Sequence, residues 1–172
     1  MMRIYLTGFM GCGKTTVGRA LARRLGVPFV DLDHEVERQA GMTVRQIFAG
    51  PGEPAFRAME AEALRGTLAL PDVVVAMGGG TVTFEANARL AAANGLTVWL
   101  NPDFATIAKR IGGRGKTDRP LFKDEVQALA LYRERLPAYR RADLTVDVAP
   151  HEGPEEIAAR IALRIGNRTC AT

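Results

Sequence analysis

Eight residues near the N-terminus, Gly8-Phe9-Met10-Gly11-Cys12-Gly13-Lys14-Thr15, have the types and spacing of a loop that binds phosphate: glycine, four arbitrary positions, glycine, lysine and a hydroxyl residue. Glycines at 8, 11 and 13 let the backbone turn tightly and aim several N–H groups inward at negative oxygens. A helix beginning near Lys14 adds its unpaired N–H groups and its positive end. In a loop of this kind Lys14 is a point charge between the β and γ phosphates, and the Thr15 hydroxyl is a ligand for Mg2+. Cys12 fills an arbitrary slot; beside a lysine and a helix N-terminus its thiol is also a candidate nucleophile.

Further along, Asp31 and Asp33 stand at the exit of an apolar run. On an extended chain, alternation sends both to the same side, and beyond the carboxyl ends of a parallel sheet they would meet the phosphate loop. One is expected to face the metal or its waters and the other an attacking hydroxyl. Arg57 follows a Gly/Pro breaker and carries a fork that matches a carboxylate; the sequence leaves it open between holding an anionic substrate and pairing on the surface with Glu60 or Glu62. Gly78-Gly79-Gly80 closes a continuous apolar run, so a backbone approached closely by a water-bridged metal or a ring-shaped substrate is expected there. The segment Gly112 to Leu121, rich in glycine and basic residues, reads as a mobile lid drawn down by phosphates.

These groups need a scaffold. Apolar runs at 3–7, 27–33, 73–77, 97–100 and 145–148 read as strands, separated by helical periods over 14–25, 34–65 (broken at 50–54), 87–93, 104–111, 125–139 and 154–165. Such alternation argues an α/β fold: three layers, α/β/α, around a mostly five-stranded parallel sheet. The 172 residues, 47% hydrophobic, suffice for one core, so a single domain over 1–172 is expected, with a helical insert at about 33–62 and the lid at about 112–124.

Composition excludes several classes of function. The chain has no serine, which removes serine-nucleophile chemistry, and its two cysteines, Cys12 and Cys170, have no partner motif for a disulfide framework or zinc site. No apolar stretch approaches 18 residues and the N-terminus lacks a signal-peptide pattern, so no membrane partner is expected and the cytoplasm is the expected compartment. Net charge is +4, but the arginines form no stripe with interleaved aromatics; a small anionic substrate explains the excess better than nucleic acid. No long apolar stripe calls for a partner subunit, so a monomer is expected.

From Ile4 to about Ile165 the chain resembles the shikimate kinase family. The likeness rests on Gly8–Thr16 (GFMGCGKTT), Asp31 and Asp33 in DLD, Phe56-Arg57 with Glu60, Gly78-Gly79-Gly80, Arg119-Pro120-Leu121, and Arg135 followed by Leu136-Pro137-Ala138-Tyr139. It implies a P-loop kinase fold like that of the nucleoside monophosphate kinases. It also implies phosphorylation of the 3-hydroxyl of shikimate with ATP and Mg2+, a step of aromatic amino-acid biosynthesis. By the same resemblance Gly11, Cys12, Gly13, Lys14, Thr15, Thr16, Arg110 and Arg119 would bind ATP, and Thr15, with Asp31 through water, would serve the metal. Asp33 would contact the attacking hydroxyl, with Lys14 and Arg119 as further catalytic groups. Arg57 and Arg135 would clamp the substrate carboxylate beside Gly78, Gly79 and Gly80, and Glu60 would hold Arg57. The region after Asp147, often a basic loop against the adenine, here reads Val148-Ala149-Pro150-His151-Glu152-Gly153, so that face is unassigned. Rival readings are a kinase of the same build acting on gluconate or another polyol acid, a nucleoside monophosphate kinase, and a nucleotide-dependent switch. The paired arginines speak for a rigid ring carboxylate, no base-recognition surface is evident, and a switch has no use for a second anion pocket.

Overall fold

The computed structural model describes residues 1–112 and 124–169. Strand β1 (Met2–Thr7) lies at the centre of the sheet, paired in parallel with β3 (Asp72–Ala76) on one edge and β4 (Leu96–Pro102) on the other, with Ile4 opposite Val74 and Leu96. Strand β2 (Phe29–Asp31) adds beyond β3 and β5 (Leu144–Val148) beyond β4, giving the order β2-β3-β1-β4-β5, all parallel. A strand covered on both faces has no polar side, so β1 and β3 read as near-continuous apolar runs.

Alternation along the strands separates two cores. Ile4, Leu6, Val74, Val98 and Leu100 pack with Val17 and Leu21 of α1 (Lys14–Leu25) and Ile157 and Ile161 of α8 (Pro154–Thr169). Tyr5, Val73, Val75 and Trp99 face the other way, under α2 (Leu32–Ala40), α3 (Val44–Ala49), α4 (Glu53–Gly66), α5 (Glu85–Asn94), α6 (Phe104–Gly112) and α7 (Glu125–Tyr139). The expected three-layer α/β/α build with five parallel strands is the one observed. The chain passes from β1 to the β2/β3 side and only afterwards crosses to β4 and β5. Reversal of strand order at β1 opens a crevice at its carboxyl end, where the Gly8–Thr15 loop begins.

Two local expectations change. The run 27–33 is not one strand: β2 stops at Asp31, whose carboxylate accepts from the N–H groups of Asp33 (3.1 Å) and His34 (3.4 Å) and so caps α2. Alternation along a strand therefore does not relate Asp31 to Asp33. The stretch 34–65 is three helices instead of one interrupted at 50–54. Gly41, with φ of 64°, ends α2, and a reciprocal Thr43–Gln46 capping box starts α3. Pro54 belongs to the first turn of α4, where its missing N–H is harmless. Elsewhere α7 runs through Pro137 to Tyr139, and the lid sequence from 113 to 123, with Arg119, lies outside the described residues, as does Cys170.

Gly18 in α1 is a packing requirement. A Cβ there would lie 2.5 Å from Phe29 Cε2 and 3.1 Å from Leu6 Cδ1, at the seam between helix and sheet. Gly18→Ala gains about 0.5–1 kcal/mol of helix propensity but overpacks the seam at about 1–3 kcal/mol, so overpacking wins. Thermal unfolding followed by circular dichroism should show a Tm lowered by about 2–6 °C. A raised Tm would mean that the Phe29 ring swings aside freely.

Candidate active site

The loop after β1 takes its shape from glycines. Gly8 has φ of 136°, and a Cβ there would lie 2.7 Å from Leu100 O and 2.9 Å from Cys12 Sγ. Gly13, at φ 100°, leads into α1 as an N-cap without a side-chain acceptor, so no capping side chain occupies the first-turn N–H groups. Lys14 arches back over the loop, donating from Nζ to Gly8 O (2.7 Å) and Phe9 O (3.0 Å). Thr16 Oγ1 donates to Gly13 O at 3.1 Å. Cys12 is 1% exposed, and its side chain belongs to the core beneath the loop. That burial removes the accessible nucleophile raised by the sequence and makes the thiol part of the packing.

The cavity at this end of the sheet, about 340 Å³, is lined by Met10 to Val17, Asp31, Asp33, Met77, Gly79 and Arg110. Both aspartates reach it, although by different routes from the one expected. Asp31 is fixed at the end of β2 by its cap, and its second oxygen, Oδ2, accepts from Thr15 Oγ1 at 2.6 Å. Asp33 projects from the first turn of α2 with Oδ1 beside Gly78. A hydroxyl touching a carboxylate is a sparse, hard-oxygen donor set. It suits a small divalent cation that keeps most of its waters, and it fits Mg2+ better than a softer metal. Among the described residues no three His, Cys, Asp or Glu side chains could hold a metal by themselves.

The three glycines after β3 do something the sequence did not announce. They clear space for side chains. A Cβ on Gly78 would collide with Glu60 Oε1 and come within 3.1 Å of Asp33 Oδ1. One on Gly79 would lie 3.3 Å from Met10 N in the loop and 3.4 Å from Arg135 Nη1; one on Gly80 would lie 2.8 Å from Arg57 Nη2. Three consecutive residues thus touch the carboxylate Asp33, the phosphate loop and both arginines.

Glu60 is the buried anchor of this group, 0% exposed. Its Oε1 accepts from Thr81 Oγ1 (2.6 Å) and its Oε2 from Arg57 Nη1 (3.0 Å). Arg57 also donates to Glu53 from Nη2 (3.0 Å) and Nε (3.2 Å), at the partly exposed edge. Of the two pairings considered for Arg57, the one with Glu60 is formed, inside the protein, while Glu62 pairs with Arg65. Arg135, 7% exposed, lies over the Phe9 ring at 5.9 Å. Tyr139, one turn further along α7, donates its hydroxyl to Gly79 O; burial pushes that hydroxyl well above the usual tyrosine range, so it stays a donor.

At the far end Arg110 Nη1 donates to Gly11 O (3.4 Å) and Cys12 O (3.5 Å), bringing α6 against the loop. Glu152, Pro154 and Ile157 complete the cavity there, on the face left unassigned after Asp147. The residues missed by sequence reasoning are these three together with Thr81 and Tyr139. Tyr139 was the most findable, one turn after Arg135; Thr81 directly follows the glycines but its partner Glu60 is 21 positions away.

A family model described as "Shikimate kinase" matches residues 10–165. A shikimate kinase from Thermobifida fusca (strain YX) is 49% identical over 160 residues, 91% of each chain. The solved shikimate kinase from Acinetobacter baumannii in complex with shikimate superposes with a TM-score of 0.92 at 34% identity, covering 98% of this chain and 94% of that one. The Aquifex aeolicus shikimate kinase structure gives 0.84, also at 34%, covering 99% and 100%. On sequence and fold together, the chain belongs to the shikimate kinase family.

Proposed function

We propose that this chain transfers the γ-phosphoryl group of ATP to the 3-hydroxyl of shikimate, giving shikimate 3-phosphate and ADP, with its residues divided between the two substrates as follows. The observation that carries the division is the glycine triple, which sets Asp33, the loop at Met10, Arg135 and Arg57 against three consecutive residues. A carboxylic acid held by the two guanidiniums would place its ring over the glycines and one hydroxyl within reach of Asp33. The same hydroxyl then faces the phosphate loop.

Asp33 orients that hydroxyl and takes its proton onto a carboxylate oxygen at or after the transition state. A loose phosphoryl-transfer transition state needs little from a strong base, so positioning is the main demand. Positioning comes from Arg57, held by Glu60, and from Arg135, buried against Phe9; both present charge-assisted donors to a carboxylate. Lys14 and the N–H groups of residues 11–16 stabilise charge on the transferring group, joined by Arg119 from the lid. Mg2+, with Thr15 as ligand and Asp31 behind a water, would supply further positive charge at the β and γ phosphates. Arg110 and the Glu152–Ile157 face close the cavity on the side away from the acceptor, where the adenine would lie. Lid closure would keep water from taking the phosphoryl group.

A monomer in the cytoplasm remains our reading. Large exposed apolar side chains among the described residues are scattered: Met1, Phe84, Val126 and Leu163. No described helix is long and apolar enough to cross a membrane.

The test of the reaction is ADP release with ATP and Mg2+ in the presence of shikimate, quinate, gluconate or no acceptor. Release should depend on shikimate; equal release without acceptor, or release only with gluconate, would assign the arginine pocket to another molecule. Asp33→Asn should lower kcat about 10²- to 10⁴-fold with little change in the KM for ATP, and a wild-type rate would remove Asp33 from the chemistry. Arg135→Ala should raise the shikimate KM about 10- to 100-fold, as expected for losing a charge-assisted pair. Normal shikimate kinetics in that variant would break the clamp. Arg119→Ala should slow single-turnover transfer on the order of 10³-fold while Tm stays put, and unaltered transfer would make the lid arginine a bystander.

A further inference from the structure

Phe84 occupies a position at which two local rules favour a different residue. It is the N-cap of α5, with extended backbone (φ −89°, ψ 117°) and no side-chain cap, a place that ordinarily selects serine, threonine, aspartate or asparagine. The residue is also 44% exposed, one of four large apolar residues so placed among the described residues. Departures from local rules without local compensation tend to mark function. The compensation here is a contact across the fold: the Phe84 ring centre lies 5.3 Å from Arg57 Cζ, close to the 5.2 Å that separates Cζ from the Phe56 ring.

The contacts of Arg57 divide by geometry. Its N–H groups point along the guanidinium plane and take the carboxylates, Glu60 at Nη1 and Glu53 at Nη2 and Nε. The rings of Phe56 and Phe84 contribute attraction to the cation without using any N–H. Glu53, however, is 48% exposed, and a surface carboxylate holds an arginine weakly. Phe84, from outside the helix that carries Phe56, Arg57 and both glutamates, also lies against the guanidinium.

We propose that Phe84 is a positioning residue for the acceptor: its ring fixes the Arg57 guanidinium, held between Glu60 and Glu53, in the orientation that meets the substrate carboxylate. The proposal rests on the reading of Arg57 as a carboxylate clamp. A residue acting this way contributes to acceptor affinity and nothing to nucleotide affinity. Because the same position would cap α5 better with a polar residue, its effects on binding and on stability have opposite signs.

Four variants test this by steady-state kinetics and thermal unfolding. Phe84→Leu keeps apolar bulk without the ring face and should raise the shikimate KM about 3- to 10-fold, with kcat and the ATP KM within about twofold of wild type. Phe84→Tyr should restore the wild-type shikimate KM. In Phe84→Ser the KM should rise as in the leucine variant while Tm stays level or increases. In an Arg57→Ala background, Phe84→Leu should add nothing, because the ring acts only through that guanidinium. An unchanged shikimate KM in Phe84→Leu, a parallel rise in the ATP KM, or failure of tyrosine to rescue would overturn the proposal. If Arg57→Ala itself leaves the shikimate KM unaltered, the clamp reading fails and takes this one with it; a raised KM in Arg57→Ala beside a normal one in Phe84→Leu refutes the role of the ring alone.

Discussion

One buried carboxylate fixes the side of the cavity that we assign to the acceptor. Glu60 is fully enclosed, and a charge there must have both oxygens satisfied; removing one partner from such a pair costs about 3–5 kcal/mol. Its partners are Thr81 and Arg57, which come from the turn after β3 and from its own helix. Their positions follow from that requirement. Gly78 has to lack a side chain, since a Cβ there would strike Glu60, and the 3₁₀ turn at Thr81–Thr83 has to follow directly for the hydroxyl to reach. Asn87 then holds the carbonyl of Thr81 from α5. The Arg57–Glu60 pair within α4, the Thr81 hydrogen bond to Glu60 and the Asn87 hydrogen bond to Thr81 thus tie α4, the glycine segment and α5 together, which preorganises the clamp we propose.

The side we assign to the nucleotide is built on another principle. Its donors are mostly backbone, shaped by positive-φ glycines and by the start of α1, and the side chains that matter are few. Backbone donors need no rotamer ordering, which suits a ligand as flexible as a triphosphate. A ring acid of fixed shape can instead be met by side chains locked in advance. The two halves share a wall at Gly79, which lies against both Met10 and Arg135.

This difference explains what could be read from the sequence. The loop was legible because its spacing encodes local backbone geometry, and the five-strand parallel sheet because buried strands announce themselves as apolar runs. Asp31 and Asp33 were placed in the right cavity for the wrong reason: a cap at Asp31, not strand alternation, orients them. Thr43-Val44-Arg45-Gln46 carried a readable capping box that would have divided the long helical stretch. The glycine triple was read as room for a ligand, when it is first room for Glu60, Arg135 and Arg57. Those residues lie between 18 and 56 positions from the glycines they meet, a relation that no local pattern contains.

The pairing of β1 has a consequence for how the protein is made. Its partners begin at Asp72 and Leu96, so the strand that launches the phosphate loop has no neighbour until most of a hundred residues have followed it. Parallel pairings of this separation are intrinsically slow because a long loop must close before any contact rewards it. This strand is made before either of its partners and is therefore among the last elements to be organised. During synthesis it remains an apolar, β-prone stretch awaiting its place, and a chaperone would have its greatest effect there.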